Sequence, residues 1–256
     1  MEREVRRYPN LKALSSAAAE FMCTLAEESA SEHGFFTVAL SGGKTPKSLY
    51  ESLAGPSYAP MMPWPHIHLF WGDERYVPSD HPDSNFAMAF RSLISKVAIT
   101  PRNVHRIPGE MESPEDAAAA YEKILREFFG SIPEGDTHSH APPVGESFPS
   151  FDLILLGMGR DGHTASLFPG DQAIEEEKRW VAAVRTPHGS PPVPRITLTL
   201  PVINRARCIL FLVSGSGKEE VLRVILKDPN SAARRYPAAR VIPDGRVVWF
   251  IDGETF

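Results

Sequence analysis

Short apolar segments that end abruptly in glycine-rich polar loops are the feature that most constrains this fold. Residues 151–156 form one such segment, and three glycines, an aspartate and a histidine follow within 157–163. Apolar segments at 35–40 and 209–213 lead into glycine loops in the same way. Segments this short that are apolar throughout are typical of strands buried on both faces, as in parallel sheets. We therefore expect polar loops at the carboxyl ends of buried parallel strands.

Helical patterns alternate with these strands, which predicts an α/β fold with a mostly parallel sheet flanked by helices. The longest predicted helix runs from Asn10, as N-cap, to His33, and Gly34 ends it. Further helices are predicted from Pro46 and at 83–93, 114–129 and 218–226, with strands at 67–71, 153–156, 196–200 and 247–251. Residues 131–150, rich in Pro, Gly, Ser and His, predict a loop. No domain boundary is evident, so 1–256 is interpreted as one domain.

Composition excludes several classes of function. The net charge is −5 and no cluster of five basic residues occurs, which argues against a nucleic-acid partner. The apolar runs are far shorter than the ~20 residues that span a bilayer, so no membrane partner is expected. The charged start at 1–7 lacks a signal sequence, which favours a cytoplasmic protein. Cys23 and Cys208 are expected to be buried thiols rather than a disulfide or metal pair.

The loop after 151–156 carries the strongest candidates for catalysis. Ligands of open parallel sheets bind at the carboxyl ends of strands, and glycines there let the backbone approach a substrate closely. His163 is the candidate general base, and Asp161 lies two residues before it. The alternative is a tight turn in which Asp161 caps a helix that begins near His163.

The first glycine loop is typical of an anion site. Backbone N–H groups and a helix N-terminus would face the ligand, with hydroxyl groups and a lysine beside them. The spacing is neither that of a nucleotide P-loop nor that of a dinucleotide loop. The alternative is a tight turn with Pro46 at the first helical position. The candidate residues are Ser41, Gly42, Gly43, Lys44 and Thr45.

Three further segments add candidate residues. In the loop predicted after residue 71, Asp73 or Glu74 could orient a sugar hydroxyl or the histidine, and Arg75 could bind an anion or stabilise an oxyanion. The alternative there is an internal Arg–carboxylate pair, and residues 83–85 are interpreted as helix caps. Arg195 and Lys218 lie at strand ends, and together with the first loop they form a candidate phosphate site.

Histidine pairs elsewhere are interpreted as non-catalytic. His66 and His68 are expected to share a strand face, and His138 and His140 lie in the predicted loop. Neither pair has a third ligand at a convincing spacing, so no metal site is predicted.

Four motifs taken together resemble 6-phosphogluconolactonases over nearly the whole chain. They are Ser-Gly-Gly-Lys-Thr-Pro, Trp-Gly-Asp-Glu-Arg-Tyr-Val-Pro with Asp-Ser-Asn after it, Gly-Met-Gly-Arg-Asp-Gly-His-Thr-Ala-Ser-Leu-Phe-Pro-Gly, and Arg-Ile-Thr-Leu-Thr. The resemblance implies a Rossmann-like sheet, shared with glucosamine-6-phosphate deaminase and ribose-5-phosphate isomerase. It implies hydrolysis of 6-phospho-D-glucono-1,5-lactone, in the oxidative pentose phosphate pathway, with no cofactor.

The resemblance also implies roles for individual residues. His163 would take a proton from the attacking water and return it to the leaving ring oxygen, while Asp161 orients it. Arg75 would lie near the negative oxygens of the substrate, and the first loop, Arg195 and Lys218 would bind its phosphate. Lys44 departs from relatives that have a small polar residue there, and the loop at 131–150 is longer than is usual.

The sequence gives less support to two other functions. An amino-sugar-phosphate deaminase would use Asp73 as its base, but it typically has tyrosine where Arg75 stands and Asn-Glu-Pro where 168–170 stand. A sugar-phosphate-binding regulator without turnover would have lost Asp161 or His163, and both are present. The sequence does not indicate an oligomeric state.

Overall fold

Helices and strands alternate along the chain, as the apolar segments predict. The structure is a computed structural model that describes residues 3–130, 148–185, 189 and 191–253. Most of the predicted loop at 131–150, with His138 and His140, lies outside the described residues. The strands of the described chain are β1 (Arg3–Tyr8), β2 (Phe36–Leu40), β3 (Ile67–Trp71), β4 (Asp73–Arg75), β5 (Leu153–Leu156), β6 (Val181–Val184), β7 (Arg195–Leu198), β8 (Cys208–Val213) and β9 (Arg246–Asp252). The α-helices are α1 (Leu11–His33), α2 (Lys44–Leu53), α3 (Asn85–Ser92), α4 (Pro114–Gly130), α5 (Leu200–Asn204), α6 (Glu219–Lys227) and α7 (Pro229–Ala232).

Six strands form one parallel sheet in the order β1-β9-β8-β5-β2-β3. Every residue of β2, β5 and β8 is buried, which is why these strands are apolar except at Thr37, whose hydroxyl group donates to Asp152 Oδ2 at 2.8 Å. The chain moves outward from β2 to β3 in one direction and from β5 to β8 in the other. The central pair β5 and β2 therefore marks the switch point, where α/β sheets bind ligands at the carboxyl ends of their strands. The predicted fold class is confirmed.

Local signals set the ends of α1 as predicted. The Asn10 side chain accepts a hydrogen bond from Ala13 N at 2.9 Å, which satisfies a free amide of the first turn. Gly34 ends the helix in the left-handed conformation, at φ 89°, and its N–H donates to Ala30 O at 3.1 Å. The buried face of α1 consists mainly of small and medium side chains, which pack close to the sheet.

A second sheet, which the sequence did not predict, lies beside the first. β7 pairs antiparallel with both β4 and β6. Gly72 joins the two sheets, because its N–H donates to Leu40 O at 2.9 Å and its carbonyl accepts from Leu198 N at 2.8 Å. Thus the segment predicted to be a loop after residue 71 contains β4.

Several helices and strands begin or end at residues other than those predicted. α2 begins at Lys44, so Pro46 is its third residue rather than its first. The strand predicted at 196–200 is β7, which ends at Leu198 because Leu200 begins α5. His66 ends a 3-10 turn before β3, so it does not share a strand face with His68. No α-helix begins in the described residues 161–171, so the alternative in which Asp161 caps a helix is wrong.

Candidate active site

A cavity opens at the carboxyl ends of the central strands, and the small sheet forms one of its walls. The residues predicted for the site line it, except for Glu74, which bonds to the start of α3, and Asp161, which contacts the lining residue His163. The predicted lining residues are Ser41, Gly42, Gly43, Lys44, Thr45, Asp73, Arg75, His163, Arg195 and Lys218. Lining residues that were not predicted as site residues include Asn85, Met158, Ala165, Phe168 and Leu212.

The first glycine loop is held by a tyrosine beneath it. The hydroxyl group of Tyr50, which is fully buried on α2, accepts from Ser41 N at 3.0 Å and donates to Ser41 O at 2.8 Å. Gly43 precedes α2 with φ 101°, a left-handed conformation, and supplies no side-chain cap to the helix. The N-terminal amides of α2 therefore lie at the cavity without a side-chain cap, as an anion site requires. Lys44, the first residue of α2, is exposed at the rim.

Gly42 leaves room for Asn85, which begins α3. A Cβ atom on Gly42 would lie 1.9 Å from Asn85 Oδ1, so only glycine fits. Asn85 Nδ2 donates to the backbone oxygen of Asp73 at 2.9 Å and lies 3.5 Å from its carboxylate. The side-chain amide of Asn85 thus occupies the space that Gly42 leaves open and is hydrogen-bonded to β4. The cap in this segment is Ser84, whose hydroxyl accepts from Ala87 N at 3.1 Å.

Successive side chains of a strand point to opposite faces, so the three charged residues of β4 lie on two sides of the small sheet. Asp73 and Arg75 line the cavity, whereas Glu74 is buried and turns toward α3. The Glu74 carboxylate accepts from Asn85 N at 2.7 Å and Phe86 N at 2.8 Å, which fixes the N-terminus of α3. Burial raises the pKa of Glu74, although these hydrogen bonds oppose the shift. Glu74 is therefore excluded from the cavity, and Asp73 is the acid of β4 that lines it.

Two arginines lie side by side on the small sheet. Arg75 of β4 is the register partner of Arg195 of β7. Arg75 Nη1 donates to Asp83 O at 2.6 Å, while its Nε is buried and has no hydrogen-bond partner among the described residues. Arg195 donates to Pro191 O at 2.7 Å through Nη2 and to Val193 O at 3.2 Å through Nε. Backbone oxygens thus hold both guanidinium groups, and neither forms an ion pair with a carboxylate among the described residues.

This pairing makes the wall of the cavity electropositive. Burial lowers the pKa of Arg195, and the charge of Arg75 lowers it further. A bound anion would relieve the repulsion between the two cations. Lys218 adds a third positive group where α6 begins, and burial lowers its pKa too. The cavity therefore suits a ligand with a phosphate group.

His163 and Asp161 form a hydrogen-bonded pair at the end of the loop after β5. His163 Nδ1 lies 2.6 Å from Asp161 Oδ1, which also accepts from His163 N at 3.2 Å. A Cβ atom on Gly159 would lie 2.1 Å from His163 Nδ1, so this glycine lets the two side chains meet. The Phe168 ring packs against the imidazole, with centroids 4.6 Å apart.

The hydrogen bond between Asp161 and His163 determines which ring nitrogen of the neutral imidazole carries the proton. Burial raises the pKa of Asp161, but the hydrogen bond and the charge of His163 outweigh this effect and lower it. The carboxylate is therefore ionised near neutral pH, and it accepts the proton on Nδ1. Nε2 is left as the acceptor on the other side of the ring, the position that a general base needs.

The part of the chain that the structure describes has neither a cluster of metal ligands nor a helix that could span a membrane. Within it, no group of three or more His, Cys, Asp or Glu side chains is arranged to hold a metal ion. His66 bonds to Gly34 O at 2.9 Å, and His68 instead meets His105. No described helix combines the length and the apolar character needed to cross a bilayer.

Comparison with known proteins agrees with this geometry. Residues 9–249 match the family model described as glucosamine-6-phosphate isomerases/6-phosphogluconolactonase. The chain belongs to this family. It is 40% identical to a 6-phosphogluconolactonase of Nostoc sp., covering 98% of this chain and 96% of that one. It is 42% identical to a Synechocystis sp. 6-phosphogluconolactonase, covering 95% and 92%. The crystal structure of 6-phosphogluconolactonase from Thermotoga maritima superposes with a TM-score of 0.79 at 32% identity, covering 98% of this chain and 100% of that one.

Proposed function

We propose that this chain hydrolyses 6-phospho-D-glucono-1,5-lactone to 6-phospho-D-gluconate, with His163 as the general base. The observation that carries the proposal is the pair His163 and Asp161 in a cavity that also presents Arg75 and Arg195. The relatives that bear the 6-phosphogluconolactonase name support the choice of substrate.

The geometry suggests how the reaction proceeds. A water molecule bound to His163 Nε2 attacks the lactone carbonyl carbon as Nε2 takes one of its protons. The carbonyl oxygen becomes an oxyanion, which the positive charge of Arg75 stabilises from the wall of the cavity. The carbon–ring-oxygen bond then breaks, and the imidazolium returns its proton to that oxygen. Asp161 stabilises the imidazolium while it exists.

The remaining residues hold the substrate. The phosphate lies against the amides of 42–45, the Ser41 and Thr45 hydroxyl groups, Arg195 and Lys218. Asp73 accepts a hydrogen bond from a sugar hydroxyl group. No step requires a metal ion or an organic cofactor, and the enzyme acts as one domain in the cytoplasm.

One experiment tests the proposal against its alternatives. Purified protein is added to freshly made lactone, and 6-phosphogluconate is followed with a coupled dehydrogenase beside a protein-free control. A parallel sample receives glucosamine 6-phosphate and is assayed for ammonia. We expect acceleration of lactone opening and no ammonia. Ammonia release would instead indicate the deaminase, and binding of the sugar phosphate without either reaction would indicate a regulator.

A further inference from the structure

Ser166 joins the histidine loop to the small sheet. Its side chain is fully buried, and its hydroxyl group donates to Asp73 Oδ2 at 2.6 Å. Its backbone N–H donates to Thr197 Oγ1 at 3.3 Å. Asp73 and Thr197 are register partners on β4 and β7. One residue of the loop is therefore bonded to both strands that carry the arginines of the cavity.

The backbone at this point is strained. Ala165 has φ 48°, a left-handed conformation that is uncommon and unfavourable for any residue with a Cβ atom. The turn is closed by Leu167 N, which donates to Thr164 O at 2.9 Å, and the Thr164 hydroxyl group donates to Gly157 O at 2.8 Å. Such strain persists only where the surrounding contacts over-determine the conformation. The contacts of Ser166 are among those that do so.

The reacting groups belong to two different sheets. His163 follows β5 of the large sheet, whereas Asp73 and Arg75 belong to β4 of the small one. Hydrolysis needs the base beside the lactone carbonyl carbon and the group that stabilises the oxyanion close to the carbonyl oxygen. A misplacement of about 1 Å between such groups costs about a hundredfold in rate. The contacts that fix the loop relative to β4 therefore matter to catalysis.

We propose that Ser166 is a positioning residue, which sets the distance between His163 and the β4 groups by holding the loop to Asp73 and Thr197. It also orients the Asp73 carboxylate, because its hydroxyl group occupies Oδ2 and leaves Oδ1 beside Asn85. This inference rests on the proposed lactone hydrolysis, and the phosphate-binding residues play no part in it.

The test compares two buried serines. In Ser166→Ala the hydroxyl group that holds Asp73 is removed, and we expect kcat to fall about ten- to a hundredfold. The Kd of inorganic phosphate should change by less than about twofold, because the phosphate cradle keeps its own contacts. Ser15→Ala is the matched control, since Ser15 is also buried and its hydroxyl group has no hydrogen-bond partner among the described residues. It should keep kcat within about twofold.

A second variant and a rescue complete the test. Thr197→Val removes the hydroxyl group that accepts from Ser166 N, with little change in side-chain volume. We expect it to lower kcat by a smaller factor than Ser166→Ala does. Ser166→Cys, with a weak S–H donor of similar size, should give a kcat between those of the alanine variant and the wild type. It also serves as the test variant if Ser166→Ala does not fold.

The outcomes separate this inference from the proposed function. Folded Ser166 variants with wild-type kcat would overturn it, as would a parallel loss of kcat and phosphate affinity, which indicates general structural damage. A wild-type protein that does not hydrolyse the lactone would instead overturn the proposed function.

Discussion

Two histidine sites at opposite ends of the parallel sheet show how surroundings decide the chemistry of one residue type. At the carboxyl end, His163 is partly exposed to the cavity and its Nδ1 lies 2.6 Å from a carboxylate oxygen. Toward the amino end of β3, His68 Nδ1 lies 3.2 Å from His105 Nε2. Phe128 packs on His68 and Phe70 stacks on His105, with centroids 4.7 and 4.4 Å apart.

The two sites differ in their ability to hold an imidazolium. Burial lowers the pKa of both His68 and His105 to about 4, so this pair is neutral near pH 7. Asp161 supplies a negative charge beside His163. In the aromatic cluster, formed by His68, His105, Phe70 and Phe128, neither histidine has such a carboxylate partner among the described residues. A histidine that must take and return a proton therefore needs both a carboxylate partner and an opening to water. The comparison therefore supports His163, rather than His68 or His105, as the proposed base.

The largest effect is expected at the base. His163→Ala should lower kcat by about 10²–10⁴-fold with a much smaller change in KM, because the general base is lost while the phosphate contacts remain. His105→Gln, the matched change in the aromatic cluster, should keep kcat within about twofold in folded protein. Steady-state kinetics on fresh lactone measure both. A His163→Ala variant with more than half the wild-type kcat would remove this residue from the mechanism.

Two glycines of the histidine loop test the geometry of the pair. Gly159→Ala places a Cβ atom 2.1 Å from His163 Nδ1, so the imidazole must move away from Asp161. We expect kcat to fall by about a hundredfold. Gly157→Ala is the control, because its Cβ atom would meet nothing within 4 Å although the residue also lines the cavity. Equal kcat values for the two variants would show that contact with Asp161 is not needed.

The phosphate site should respond mainly in KM. Arg195→Ala and Lys218→Ala each delete a charge-assisted hydrogen bond worth roughly 1.5–3 kcal/mol, so KM should rise about ten- to a hundredfold. Lys47→Ala is the control, because Lys47 lies on α2 outside the cavity and pairs with Glu51. Unphosphorylated gluconolactone should be a poor substrate of the wild type. If its kcat/KM matched that of the phosphorylated lactone, the presence of Arg195 and Lys218 in the cavity would need another explanation.

Much of the fold and site follows from local sequence patterns. The apolar segments predicted β2, β3, β5, β8 and β9, and the glycine loops after β2, β5 and β8 predicted which residues line the cavity. Local patterns suffice here because burial on both faces requires apolar residues, and close approach to a ligand requires glycine. The roles of these residues remain predictions.

What the sequence did not predict depends on long-range contacts. β4 has three residues and β6 has four, too few for a period of two to stand out. Asn85 was interpreted as a cap, because its contact with Gly42 involves two distant loops. Ser166 meets Asp73 across 93 positions, and no local pattern signals that contact.

A smaller effect is expected in the pH dependence of stability. The pKa of His68 and His105 is about 4 in the folded protein and 6.5 in an exposed histidine. Between these values the unfolded chain binds more protons, so the free energy of unfolding should decrease as the pH falls from about 6.5 to 4. His105→Phe removes one titrating group from the aromatic cluster and should reduce this slope. Urea unfolding at several pH values measures the difference, and equal slopes would contradict the assigned shift.

The smallest effect, none at all, is expected from removal of metal ions. A lactone is reactive enough that a water activated by histidine, with oxyanion donors beside it, accounts for hydrolysis. The His68 and His105 pair offers two nitrogens, and within the described residues no third His, Cys or carboxylate side chain completes a ligand set there. Protein treated exhaustively with a chelator should therefore keep its kcat and KM. Loss of activity that added zinc restores would contradict this prediction, because a histidine pair outside the cavity, such as His68 and His105, would then contribute to catalysis.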